Sequence, residues 1–246
     1  MPVGLSVTVL GTSGSYAGPG DACSGYLLRH GGTAVWLDAG PGTLANLQRH
    51  VELSEVDAVV LTHVHADHWT DVNGFYVACK WYERREGVPV YSPAEVRDLA
   101  ARFHPELGPT LDWQVVTAAD VVEVGEITLG FARTDHGPET LAVRADAGGR
   151  SLVYTADTGS AWALTELGSG IDLALCEATL DAGRPATGAK HLTARQAGRL
   201  AKEAGAARLL LTHLPPGLDP EESRAEAAAA FPGPVEVAAT NAKYEV

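Results

Sequence analysis

Three histidines and an aspartate fall within six residues, His63-Val64-His65-Ala66-Asp67-His68. Imidazole and carboxylate are donors that Zn²⁺ and other borderline first-row ions accept. In an extended segment His63 and His65 project to the same side and can share one ion, whereas a turn at Ala66 sends Asp67 and His68 toward a second. The spacing therefore implies two divalent ions. One short loop cannot fill two coordination shells and leave solvent positions open, so further ligands must come from elsewhere in the chain. Candidates are His136 in Thr134-Asp135-His136-Gly137-Pro138, Asp157 in Thr155-Ala156-Asp157-Thr158-Gly159, and His213 in Leu211-Thr212-His213. Zn²⁺ is the first expectation; Mn²⁺ and Fe accept the same N and O donors, and availability decides among them.

The elements around these residues indicate how they could meet. Residues 58–62 are an apolar, β-branched run typical of a buried strand that delivers the chain into His63. Residues 208–212 repeat the pattern and end at His213. Strand-like runs at 127–133, 151–155 and 172–176 lead to His136, Asp157 and Glu177, so each candidate lies at a strand end, where binding loops gather. Helices are expected over 43–50, 73–85, 93–103 and 221–230, and over 193–204 with Thr193 as N-cap. Another is expected to begin after Asp157. A first strand at 5–10 runs into Gly11-Thr12-Ser13-Gly14-Ser15, a loop whose backbone N–H groups could face a phosphate. No linker, repeat or low-complexity tail divides the 246 residues, which read as one domain, 1–246, with 46% hydrophobic content to supply its core.

A formal net charge of −13 sets the surface against polyanions and weighs against a nucleic-acid partner. Lys80, Arg84 and Arg85 form a basic cluster that Glu83 and Glu86 nearly cancel, as on a solvated helix face. Cys23, Cys79 and Cys176 have no paired spacing and read as buried small hydrophobes of a reducing compartment. With no secretory pattern at residues 1–10 and no run of eighteen apolar residues, the expectation is a soluble, cytoplasmic protein without a membrane partner. A homodimer is the general expectation for a soluble enzyme, without a warrant in particular residues. His30, His50 and His104 fall outside every motif; the five tryptophans read as core or rim packing, and the position of Trp69 directly after His68 leaves its role open.

The HxHxDH cluster, followed in order by a histidine, the TADTG aspartate and the LTH histidine, resembles the metallo-β-lactamase superfamily over essentially the whole chain. That resemblance implies a four-layer αββα sandwich with the site at one edge. It also implies that His63, His65 and His136 hold one metal, that Asp67, His68 and His213 hold the other, and that Asp157 bridges them. Two such ions can share a bridging hydroxide, polarise a phosphoryl or carbonyl oxygen and neutralise charge in the transition state. Asp67 could also orient or deprotonate the nucleophile.

Glu177-Ala178-Thr179 and His191-Leu192-Thr193 resemble the EAT and HxT motifs of the phosphodiesterase branch, which includes ribonuclease Z. His191 is not needed to complete either shell, so it is free to protonate a leaving alkoxide with Glu177 orienting its ring. The blander reading is a loop residue beside an N-capping Thr193. Ribonuclease Z enzymes usually carry an inserted arm that grips tRNA; residues 82–113 are short and hold no such glycine-rich excursion. Val9-Leu10-Gly11-Thr12-Ser13-Gly14-Ser15, Ser24-Gly25-Tyr26-Leu27-Leu28-Arg29 and Leu211-Thr212-His213-Leu214-Pro215-Pro216 are similar to actinobacterial atypical cyclic-nucleotide phosphodiesterases. The expected function is hydrolysis of a small phosphodiester such as cAMP, with a small-molecule partner. The alternatives are tRNA 3′ processing, hydrolysis of a thioester, lactone or other ester, and a metal-binding accessory protein without turnover.

Overall fold

Among the described residues, alternation of apolar side chains along fourteen short strands builds two seven-stranded sheets that face each other. The computed structural model describes residues 4–183 and 188–246. In the first sheet, β1 (Ser6–Gly11), β2 (Gly25–His30) and β3 (Thr33–Ala39) pair antiparallel. β4 (Ala58–Val60), β5 (Val88–Ser92) and β6 (Leu111–Val115) then continue in parallel from β3. In the second, β7 (Val121–Val124), β8 (Ile127–Arg133), β9 (Leu141–Ala147) and β10 (Arg150–Tyr154) alternate in direction. From β10 onward, β11 (Leu173–Glu177), β12 (Arg208–Thr212) and β13 (Val235–Val237) run parallel. The closing strand β14 (Lys243–Glu245) returns to pair with β1 in the first sheet.

The period-two pattern decides which core each side chain joins. Val7, Val9, Tyr26, Leu28, Val35 and Leu37 meet Leu129, Phe131, Val143, Leu152, Leu175 and Leu210 between the sheets. Their neighbours Leu10, Leu27, Trp36 and Val59 face outward and are covered by α1 (Thr43–Leu47), α2 (Ala66–Trp69), α3 (Val72–Ala78) and α4 (Ala94–Phe103). On the second sheet Ala174, Cys176, Leu209 and Leu211 pack under α5 (Ala194–Glu203) and α6 (Pro220–Ala228). The result is the αββα sandwich expected from the sequence. Thr193 caps α5 as expected, in a reciprocal pair with Gln196, a device that contributes about 1 kcal/mol.

The helix expected after Asp157 does not form, and only a 3₁₀ turn at Leu164–Leu167 appears there. The first amides of that segment are committed elsewhere: Thr158 N–H donates to Glu177 Oε1 at 2.7 Å and Gly159 N–H to the Asp135 carbonyl at 2.7 Å. Those bonds tie the segment to Glu177 at the end of β11 and to the loop after β8. All three cysteines are buried and free. Among the described residues no helix is long and apolar enough to cross a membrane.

Candidate metal centre

Parallel pairing gathers the site. β3 and β4 share a direction, as do β8, β10, β11 and β12, so Asp38, His63, His136, Asp157, Glu177 and His213 all emerge at strand C-terminal ends. The two sheets are joined there by the Leu141 N–H bond to the Thr62 carbonyl at 3.0 Å. The seven residues proposed as ligands from the sequence converge in two groups around one aspartate. His63 Nε2, His65 Nδ1, His136 Nε2 and Asp157 Oδ2 lie 3.1–3.8 Å apart along the measured pairs. His68 Nε2, His213 Nε2, Asp67 Oδ2 and Asp157 Oδ1 lie 3.1–3.5 Å apart. Ligands about 2.0–2.1 Å from a tetrahedral ion sit about 3.3 Å from one another, so both groups have the dimensions of a coordination shell. Asp157 offers one oxygen to each.

Whether a cation fits is tested by the polar atoms themselves. Asp157 Oδ1 is buried without a hydrogen-bond partner, an expensive state for a carboxylate oxygen unless a positive charge meets it. Four imidazoles also present a lone pair inward. His63 Nδ1–H donates to Thr62 Oγ1 at 3.1 Å, His68 Nδ1–H to Asp38 Oδ2 at 2.8 Å, His136 Nδ1–H to the Lys190 carbonyl at 2.9 Å, and His213 Nδ1–H to Thr179 Oγ1 at 2.7 Å. Each outward donation fixes the tautomer whose Nε2 is free to ligate. Burial, reinforced by the charge of His68, pushes the His63 imidazole down to about 4 and keeps it neutral. Burial pulls His68 down as well, but Asp157 and Asp38 outweigh it and hold that ring well above its ordinary 6.5. Burial would raise the Asp157 and Asp67 carboxyls, yet the surrounding imidazoles hold both far below the usual range. Carboxylates that stay ionised beside imidazole nitrogens, with a proton on His68 that an ion would displace, are a donor set suited to divalent cations.

Asp38 is the functional residue that sequence reasoning passed over. It is fully buried at the end of β3 and accepts from Thr62 N–H, Thr62 Oγ1–H, His68 Nδ1–H and Tyr154 Oη–H at 2.8–3.0 Å. Its signal was available: a carboxylate closing an apolar run, as Glu177 does on β11. Asp38, Ala156 and His213 also adopt positive φ (54°, 49° and 57°), as does Ser15 at 65°. Each non-glycine residue in that region carries about 1–2 kcal/mol of strain, concentrated here at the metal centre.

Close approach of backbones completes the frame. A Cβ on Gly40 would lie 2.0 Å from the Asp67 carbonyl oxygen, and one on Gly14 would lie 2.5 Å from the His213 carbonyl oxygen. The Gly/Ser loop therefore braces the second group, with Ser15 N–H donating to Asp67 Oδ2 at 2.8 Å. Ser13 N–H bonds the Ala22 carbonyl, Gly14 N–H that of Leu214 and Tyr16 N–H that of Gly14. The amides of Ser13, Gly14 and Ser15 are therefore not turned to a phosphate, as the sequence had suggested they could be. Trp69 is buried, donates to the Val64 carbonyl at 2.9 Å and packs edge-on against Phe103. His30, His50 and His104 lie away from the centre, against Glu126, Asn241 and Tyr76.

His191 stands beside both groups without completing either fourfold set. Its ring stacks on His213 at 5.8 Å and lies 5.0 Å from His136. Nδ1 donates to Glu177 Oε1 at 2.9 Å, and Nε2 makes no hydrogen bond among the described residues. Burial would depress its pKa, but the hydrogen bond and charge of Glu177, with the charge of Asp157, raise it above 6.5. Glu177 is itself fully buried and is held by the amides of Thr158, Thr179 and Leu192 and by Thr179 Oγ1.

A two-sheet sandwich with paired His/Asp groups at its strand ends defines a metal-dependent hydrolase of the metallo-β-lactamase fold. The β-lactamase superfamily domain matches residues 33–214, and the chain belongs to that superfamily. An uncharacterized protein of Mycobacterium tuberculosis, Rv1339, is 36% identical over 255 residues, spanning 99% of this chain and 93% of that protein. The Bacillus subtilis protein called "probable metallo-hydrolase YhfI" is 31% identical over 249 residues, covering 98% of this chain and 100% of that one. The crystal structure of YhfI superposes with a TM-score of 0.89 over 98% of this chain and 99% of that chain, at 30% identity. A ribonuclease Z of Myxococcus xanthus is 30% identical over 292 residues, with 95% of each protein covered. The chain thus falls in the superfamily branch that holds YhfI and ribonuclease Z.

Proposed function

We propose that this chain hydrolyses a small phosphodiester, with a 3′,5′-cyclic nucleotide such as cAMP the first substrate to test, and that Zn²⁺ is the resident ion. The single observation that carries this reading is the His191–Glu177 pair, which sets a sixth imidazole beside the five of the metal groups with its Nε2 making no hydrogen bond among the described residues. An acyl hydrolase needs the metals but has less use for a second acid at that position. In the proposed roles His63, His65, His136 and Asp157 hold one ion and Asp67, His68, His213 and Asp157 the other. The ions supply Lewis-acid polarisation of the phosphoryl group and a lowered pKa for coordinated water. His191, protonated, gives the Nε2 proton to the departing alkoxide while Glu177 fixes the ring through Nδ1. Asp67 is held in its ionised form by His213 and His68, and its Oδ1, which accepts no hydrogen bond among the described residues, can orient the attacking water.

The small size of the substrate is supported by charge. Against a net −13, two of the three cations in the basic cluster near residue 80 are already committed, and Arg84 is exposed. Arg85 donates to the Leu53 and Val56 carbonyls at 2.7 and 2.9 Å, and Lys80 donates to Tyr76 Oη at 2.8 Å. Those cations brace the fold rather than grip a polyanion. The identity to the Myxococcus xanthus ribonuclease Z favours a second reading, cleavage of precursor tRNA. Purified protein loaded with Zn²⁺ or Mn²⁺ is expected to cleave bis-p-nitrophenyl phosphate and cAMP. His191→Ala is expected to lose about 100-fold or more in kcat while keeping its metals, within the usual range for general acid catalysis. Inactivity of the wild type on both substrates, with cleavage of precursor tRNA carrying a 3′ trailer, would replace the first reading by the second.

A further inference from the structure

Thr179 lies between the two halves of the site. Its hydroxyl is 2.6 Å from Glu177 Oε2 and 2.7 Å from His213 Nδ1. A threonine hydroxyl has one proton to give and can accept as well. The carboxylate can only accept, so the proton goes to Glu177 Oε2; the backbone carbonyl of His213, at 3.2 Å, is the weaker competitor. The oxygen is then free to accept from His213 Nδ1–H. On the far side of the carboxylate, His191 Nδ1–H donates to Oε1. The four groups form one directed chain, His213 to Thr179 to Glu177 from one end and His191 to Glu177 from the other. Glu177 and His213 are both buried, so water does not readily replace a missing link.

We infer that Thr179 is a positioning residue that holds His213 in its ligating tautomer and ties the second metal group to the leaving-group acid through Glu177. Without the hydroxyl, His213 Nδ1–H faces no acceptor, and the imidazole gains by moving its proton to Nε2 or by turning, either of which withdraws Nε2 from the ion. Glu177 keeps its bond to His191 and its backbone donors, so the acid stays in place while its partner group loosens. A serine would preserve the chain, since only the hydroxyl takes part. The role of Thr179 rests on the proposed function only through the part given to His191; its effect on metal binding is read without any substrate.

The experiment is a Zn²⁺ titration against a chromophoric chelator, on the full chain, for wild type, Thr179→Val, Thr179→Ala and Thr179→Ser. The hydroxyl deletions are expected to weaken one of the two equivalents about 10- to 100-fold, and Thr179→Ser to stay within about threefold of wild type. At saturating Zn²⁺ the deletions should recover most of kcat, which a change in the acid itself would not permit. Folded Val or Ala variants that bind both equivalents as wild type does would overturn the inference. So would a serine variant no better than alanine. Should neither deletion fold, the wild type still decides: with ¹⁵N-labelled histidine and Zn²⁺ bound, His213 must carry its proton on Nδ1, and a proton on Nε2 overturns the assignment. A wild type that binds two ions but cleaves no phosphodiester would sink the proposed function and leave the Thr179 link standing.

Discussion

Replacing Asp38 by asparagine keeps the shape of the side chain and suits its φ of 54°, which asparagine tolerates. It removes one charge and turns one acceptor into a donor. Oδ2 receives three donors (Thr62 Oγ1–H, His68 Nδ1–H and Tyr154 Oη–H), whereas Oδ1 receives only Thr62 N–H. The amide nitrogen will therefore take the Oδ1 place and oppose a single backbone N–H. The Thr62 N–H and the new amide NH2 are then both left without an acceptor; each buried unsatisfied donor costs about 1–3 kcal/mol, and for a domain of this size each kcal/mol lowers Tm by about 2–4 °C. A fall of roughly 4–24 °C is expected for the metal-free protein. The second consequence concerns His68, whose Nδ1–H would now meet a neutral amide oxygen in place of a carboxylate. Loss of an orienting carboxylate behind a ligating imidazole costs about 10- to 100-fold in metal affinity, or about 1.4–2.8 kcal/mol. Zn²⁺ competition with a chromophoric chelator should show the equivalent held by Asp67, His68 and His213 weakened by that factor. The equivalent held through His63 should change less, because His63 reaches Asp38 only through Thr62. Wild-type affinity for both equivalents in a variant with a lowered Tm would refute the orienting role and leave Asp38 a purely structural residue.

Two further outcomes follow from the geometry. Glu177→Gln removes the hydrogen-bonded charge that lifts His191 above 6.5 and leaves burial to dominate, so the imidazolium persists only to lower pH. Because the acid acts while protonated, the alkaline limb of kcat against pH should move downward, and an unmoved limb would exclude His191 as the group that titrates. Gly40→Ala would place a Cβ 2.0 Å from the Asp67 carbonyl oxygen, with backbone on both sides and no flexible side chain to yield. Reduced soluble yield or loss of one Zn²⁺ equivalent is expected, and a fully metallated, stable variant would show that the α2 loop shifts more freely than this packing implies.

Much of the centre was legible in the residues themselves, because metal chemistry tolerates few donor types and strands deliver them in recognisable places. His63, His65, Asp67 and His68 announced two ions through spacing alone, and His136, Asp157 and His213 were found by asking which remaining donors close an apolar strand. The two-sheet sandwich was implied by the family resemblance, while the runs themselves placed most of its strands. What could not be read was anything that depends on contacts between distant segments. Asp38 looked like part of a turn until Thr62, His68 and Tyr154 were brought to it from β4, α2 and β10. The segment after Asp157, expected to be helical, is held instead by bonds from Thr158 to Glu177 and from Gly159 to Asp135, contacts that local propensity does not contain. The Gly/Ser loop turned out to brace Asp67 and His213 for a similar reason: whether a backbone N–H is free for a ligand depends on every acceptor the fold places near it. The sequence by itself determined which atoms could bind metal; the tertiary structure decided which second partner each of those atoms would have, and so which tautomer, charge and direction it presents.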